Sequence, residues 1–153
     1  MNSKEIAAVL LKDIHSRRVF KGVYPRNRLP FHVYTGRPCA FVINTDVASG
    51  PGKHWVAVWF NGKGGAEYFD SFGLPPSSSD IKQFIVTNSF TYFYNHRLLQ
   101  DLTSSMCGYY VLYFVMKKSR GASMSRLLAP FHPHKLQTND QRVGSLVHRL
   151  QRK

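Results

Sequence analysis

Cys107-Gly-Tyr-Tyr-Val-Leu-Tyr-Phe-Val-Met116 sets the terms for the rest of the chain. Tyr110, Val111, Phe114 and Val115 recur at helical spacing, and the positions between them are apolar too, so the segment reads as a helix buried on nearly all sides. It begins at Cys107, and Gly121 ends it. Such a helix needs other elements packed around it. Before it come two short apolar runs, Cys39–Asn44 and His54–Phe60, and a third, Ala66–Ser71, across the turn Asn61-Gly-Lys-Gly-Gly65. These read as one strand followed by a hairpin. Phe90–Tyr94 reads as another strand. Asn2 or Ser3, with Glu5 in the first turn, opens a helix over roughly 4–16 whose apolar face is Ile6, Val9, Leu10 and Ile14. Ser79 or Asp80 caps a helix bearing Ile81, Phe84 and Ile85. Asn139 or Asp140 caps a last one with Val143, Leu146, Val147 and Leu150 on one face. Phe20–Pro38 is broken by Gly and Pro and reads as extended chain and turns, and the stretch with Pro130 and Pro133 as a connection. Strands and helices in this order describe a single α+β domain over residues 1–153.

The chain has 153 residues, 43% of them hydrophobic and only 19% charged, a composition able to meet the entropy cost of folding. The apolar runs fall far short of the roughly 20 residues a membrane helix needs, and no signal-peptide pattern opens the chain. A soluble, intracellular monomer is expected. Two cysteines, Cys39 and Cys107, exclude a disulfide scaffold and a Cys-based zinc site. His132 and His134 have metal-ligand spacing but lack a third ligand, so no metal is expected. The net charge of +13 is uneven: residues 1–38 carry +6, residues 117–153 carry +8 and residues 39–116 carry −1. Basic ends on a neutral middle point to a polyanion, most often nucleic acid. Lys117, Lys118, Arg120, Arg149, Arg152 and Lys153 are the expected DNA-contacting residues.

His54, Asp70 and Cys107 fall at element ends beside apolar strands or at the head of the buried helix. A thiol is a weak nucleophile at its free pKa of about 8.5 and is activated by an imidazole or a helix N-terminus. Cys107 can have both: His54 would take the proton, and Asp70 would fix the ring tautomer and stabilise imidazolium. Taken singly, each has a structural explanation as a buried thiol, a core histidine or a turn cap. Cys39, inside an apolar strand with no polar partner, reads as a plain core residue. The amide of Cys107 can donate to an oxyanion, and the side-chain amide of Gln100 can be the second donor. Gly108 would allow close approach of backbone and substrate.

With these residues in view, the sequence resembles the adenovirus-type endopeptidases (adenain), cysteine proteases sharing a core with SUMO-deconjugating proteases. His54-Trp55 matches the family's catalytic pair, Tyr68-Phe-Asp-Ser-Phe-Gly73 its acidic motif, and Gln100 with Cys107-Gly108 its oxyanion glutamine and nucleophile. Cys39–Thr45 and Phe20–Tyr24 resemble the family's preceding segments. Asp70 stands where adenovirus enzymes generally carry Glu, so the relatives expected are adenain-like enzymes of other DNA viruses or virus-like transposons. The resemblance implies a papain-like core, a central mixed sheet flanked by helices, with the nucleophile at the start of the buried helix. It further implies a cysteine endopeptidase that matures viral capsid or core precursors after small residues such as Gly-Gly, with DNA as guide or cofactor. It would work in the virion and host nucleus. An activating viral peptide would bind non-covalently, since neither cysteine stands ready for the disulfide used by adenovirus enzymes. The alternatives are a ubiquitin-like or SUMO-type deconjugating protease and a catalytically idle DNA-binding virion protein.

Overall fold

The computed structural model describes residues 1–33 and 36–153; Tyr34 and Thr35, within the segment expected to be extended, lie outside the described residues. Strands β1 (Phe20–Pro25), β2 (Cys39–Asn44), β3 (Trp55–Phe60), β4 (Gly65–Phe69) and β5 (Thr91–Tyr94) form one sheet in sequence order. The inner three run antiparallel, while β1 and β5 pair parallel at the two edges, so the sheet is mixed. Helices are α1 (Ser3–Lys12), α2 (Ser79–Asn88), α3 (Cys107–Ser119), α4 (Met124–Leu128) and α5 (Leu136–Gln151).

Strands β2 and β3 are apolar at every position but the terminal Asn44 because both faces of the sheet are covered. Ala40, Val42, Ala57 and Trp59 face a core shared with α1, α3, α4 and α5. The alternate residues Cys39, Phe41, Ile43, Val56, Val58 and Phe60 face a second core closed by Ile81, Phe84 and Ile85 of α2. Helix α3 lies against β3 between α1 and α5, which accounts for its apolar circumference, and Phe114 stacks on Phe69 of β4 at 4.7 Å. Gly121 follows its end at φ +85°, in the region glycine favours. Among the described residues, no helix is long and apolar enough to cross a membrane.

Several boundaries differ from expectation, each because a tertiary contact outweighs a local signal. Asn2 and Glu5 form the expected capping box, yet α1 stops at Lys12. Asp13 leaves the helix, accepts the amide of Ser16 at 2.7 Å and pairs with Arg120, just past the end of α3. Ile14, expected on the apolar face, is therefore exposed. Ser78, one residue before the expected caps, caps α2. Helix α5 begins at Leu136 and takes in Asn139 and Asp140, which were expected to cap it. Their side chains bind Leu99 and Tyr110 in the interior, a use no local pattern announces. Extended Phe20–Pro25 is a true edge strand with a bulge at Lys21, between Phe20 and Gly22, and Ser123 caps the unexpected α4.

Candidate active site

Antiparallel pairing of β3 with β4 sets Ala57 opposite Phe69, so the residues just outside those ends, His54 and Asp70, meet. The Nε2 of His54 lies 2.8 Å from Oδ1 of Asp70, and the other ring nitrogen is left for Cys107, whose thiol the imidazole helps to hold below its ordinary pKa. Phe72 stacks on the imidazole at 4.7 Å and fixes its plane. Asp70 is itself held on both sides. Its carboxylate accepts the Phe72 amide at 2.8 Å, and Asn95 clamps its backbone, accepting from the Asp70 amide at 2.9 Å and donating to its carbonyl at 2.6 Å. Such a doubly fixed carboxylate orients the ring and sets its tautomer.

The electrostatics follow from these contacts. Burial disfavours imidazolium at His54, but the hydrogen bonds and charges of Asp70 and Cys107 outweigh it and raise the pKa to about 9. Burial likewise pushes the Cys107 thiol up. The hydrogen bond from His54, the backbone amides of Trp55 and Gly108 and the imidazolium charge reverse that, leaving the thiol below its ordinary value. Both shifts favour a thiolate–imidazolium pair. Cys39 is the opposite case: 1% exposed, its thiol is pushed up to about 11 by burial.

Gln100 sits in the loop leading into α3, with its orientation decided by chemistry. The carbonyl of Ser104 can only accept, so Nε2 faces it at 2.8 Å, while the hydroxyl of Ser71 donates to Oε1 at 2.7 Å. Nε2 carries two hydrogens, and Ser104 takes one. The amides of Leu99 and Gln100 both donate to the Ser71 carbonyl, and the Leu99 carbonyl accepts from Tyr110 of α3 and Asn139 of α5. The acidic segment Asp70–Gly73 thus ties the base to the loop carrying Gln100. Sequence reasoning missed Ser71 and Asn95 as positioning residues; Ser71 stood inside the quoted motif, whereas nothing local marks Asn95. As a donor to a developing oxyanion, Gln100 should matter: Gln100→Ala is expected to lower kcat by about 10- to 1000-fold. Ser71→Ala, which only frees the amide to rotate, should cost less, with KM little changed. Wild-type kcat in Gln100→Ala would remove it from the site.

The groove in front of Cys107 encloses about 620 Å³ between the Val47–Gly52 loop, the end of β1 and the N-terminal residues. The indole Nε1 of Trp55 donates to the Met1 carbonyl at 3.1 Å. Gly108 was expected to admit substrate; the atoms nearest its open side belong to the Met1 side chain, 3.0 Å from where a Cβ would stand.

Two of the residues expected on a DNA face are engaged elsewhere. Lys118 pairs with Glu67 and lies over the Trp59 ring at 5.5 Å, and Arg120 binds Asp13 through both amino groups. Lys117 is half-buried, and Arg149, Arg152 and Lys153 are exposed. His132 uses Nδ1 to accept the amides of His134 and Lys135, a turn-stabilising role. Among the described residues, no three potential ligands cluster as a metal site.

No protein-family model matches the chain. Over 52 residues it is 44% identical to a cysteine protease of African swine fever virus (tick isolate from Malawi), a match covering 30% of this chain and 19% of that protein. Over 52 residues it is 42% identical, with the same shares, to the counterpart from a South African tick isolate, named a SUMO-1 cysteine protease. The match therefore spans only about a fifth of these relatives' length. The crystal structure of the African swine fever virus protease superimposes with a TM-score of 0.55 at 17% identity, covering 90% of this chain and 65% of the other. The fold is that of this papain-like protease. These relatives carry the resemblance as far as a viral cysteine protease, coarser than the adenain family expected from the sequence.

Proposed function

We propose that this chain is a cysteine endopeptidase of a DNA virus or virus-like element, cleaving precursor polypeptides of the capsid or core after small residues such as Gly-Gly. The observation that carries the reading is an imidazole, His54, whose Nε2 is 2.8 Å from a clamped carboxylate and which helps to hold the Cys107 thiol below its ordinary pKa. In this mechanism the thiolate attacks the scissile carbonyl, and the Cys107 amide and Gln100 donate to the resulting oxyanion. His54 protonates the leaving amine, and a water activated by neutral His54 then releases the acyl group. A deconjugating protease acting on a ubiquitin-like modifier uses the same chemistry, and the name of one relative supports that second reading. A panel of Gly-Gly peptides set against ubiquitin-like fusion proteins tests both. Cleavage of the peptides favours the endopeptidase, cleavage of the fusions alone the deconjugase, and cleavage of neither the idle virion protein.

DNA is proposed as the guide, with virion and nucleus as the place of action. Support comes from the exposed Arg149, Arg152 and Lys153 at the end of α5. Exposed Arg17 and Arg18 follow Asp13, which Arg120 joins to the Leu150 carbonyl near the end of α5. Sequence-independent binding to duplex DNA is expected, its log affinity falling with log salt by about 0.9 for each phosphate neutralised. Substituting Arg149, Arg152 and Lys153 together should flatten that slope, whereas Lys118→Ala and Arg120→Ala should chiefly reduce stability. A slope unchanged in the triple variant would move the DNA to another face. A non-covalent activating peptide is proposed for the outer edge of β5, where Phe90, Tyr92 and Phe93 are exposed and, among the described residues, no further strand pairs.

A further inference from the structure

We infer that the groove before Cys107 selects substrates carrying an acidic residue in the stretch that fills it; this deepens the protease reading and rests on it. Arg28, Lys53, Tyr24, Asn44, Trp55 and Cys107 all line the groove, and among the described residues no carboxylate does. Among the described residues, neither cation has a carboxylate partner. The neighbouring Arg26, by contrast, is paired with Asp80. Both cations are exposed at the rim and available to a ligand.

Asp46, in the loop that forms this wall, is buried behind it. It is 6% exposed, and its carboxylate accepts the amides of Val47 at 2.9 Å and Gly52 at 3.2 Å, pinning the loop that forms the wall. Asn44 continues the pinning by accepting from Asp46 at 2.9 Å and Lys53 at 3.2 Å, which fixes where the Lys53 side chain departs. The result is two exposed cations in one groove, with Lys53 departing from a braced wall. An extended peptide entering to present its carbonyl to Cys107 must run past them, and an Asp or Glu there gains both attractions while a Lys or Arg meets both repulsions.

The test uses the whole chain and Gly-Gly peptides in which one flanking position at a time is Asp, Asn or Lys. At low ionic strength, Asp at the positions filling the groove should raise kcat/KM about 5-fold over Asn and about 20-fold over Lys, and the preference should shrink with salt. Arg28→Glu with Lys53→Glu should bring the Asp-to-Lys ratio to one or below. Lys63→Glu, in the turn at the far end of β3, should leave the ratio unchanged and so separates the groove from overall charge. Protection of Cys107 from iodoacetamide, mapped by mass, is measured with the same peptides. Cleavage without discrimination overturns the groove's preference and leaves the protease standing. Preferential protection by Asp peptides without cleavage upholds the preference and removes the protease, and equal protection by all of them overturns the preference whether or not they are cut.

Discussion

Cys107→Ala is expected to abolish peptide cleavage, lowering kcat/KM by at least about 10⁴-fold, while circular dichroism and thermal unfolding stay close to wild type. The reason is chemical: the covalent intermediate forms on one sulfur, and no other thiol can take its place. Cys39, the second cysteine, is sealed in the core against α2 with its thiol pushed up to about 11, so it is neither ionised nor reachable. The fold should tolerate the change because Cys107 is only half-buried at the first turn of α3, and that helix is held by Tyr110, Val111, Phe114 and their neighbours further along. Cys39→Ala should behave in the reverse way. It leaves a small cavity beside Phe41 and Phe84 that costs on the order of 1 kcal/mol of stability, and it retains turnover. Mass mapping after iodoacetamide should find the label at Cys107 alone. Product formed by Cys107→Ala at a rate comparable to wild type would end the thiol mechanism.

What was legible in the sequence, and what was not, divides along the range of the interactions. Strands β2 and β3 could be read because burial on both faces leaves continuous apolar runs, and α3 because it is apolar all round. The meeting of His54 and Asp70 was legible too, since a short turn joins the two strands whose ends carry them. Parallel edge strand β1 was not, because its partner β2 lies across a Pro-rich connection and its residues alternate poorly. Asn139 and Asp140 looked like caps because short polar side chains cap helices, and only the packed interior reveals that one holds the loop of Gln100 and the other Tyr110. Charge misled for the same reason. Counting cations put Lys118 and Arg120 on an outer face, but Glu67 and Asp13, distant in sequence, draw both inward. Ser71 and Asn95 share that origin: their roles exist only through partners 29 and 25 residues away.

His54→Ala is the second large effect expected, a loss on the order of 10⁴-fold in kcat/KM, because one ring serves as the thiol's proton acceptor and the leaving group's proton donor. The active form is the pair of thiolate and imidazolium, which fixes the pH profile. Below the lowered pKa of Cys107 the sulfur is protonated and no nucleophile exists; above the raised pKa of His54, about 9, the ring is neutral and no acid remains for the amine. The profile of kcat/KM should therefore be a bell whose alkaline limb has its midpoint near 9, the two limbs belonging to the coupled pair. Removing His54 deletes the hydrogen bond and charge that hold the thiol down. The pH at which Cys107 becomes reactive to iodoacetamide should then move upward, with burial opposed only by the amides of Trp55 and Gly108. Asp70→Ala keeps the base and loses its orientation and counter-charge, so its effect should be about 100-fold milder than that of His54→Ala, with the alkaline limb displaced to lower pH. A limb that stayed near 9 in Asp70→Ala would mean that the carboxylate 2.8 Å from Nε2 does not hold the imidazolium, and the base would have to be sought elsewhere.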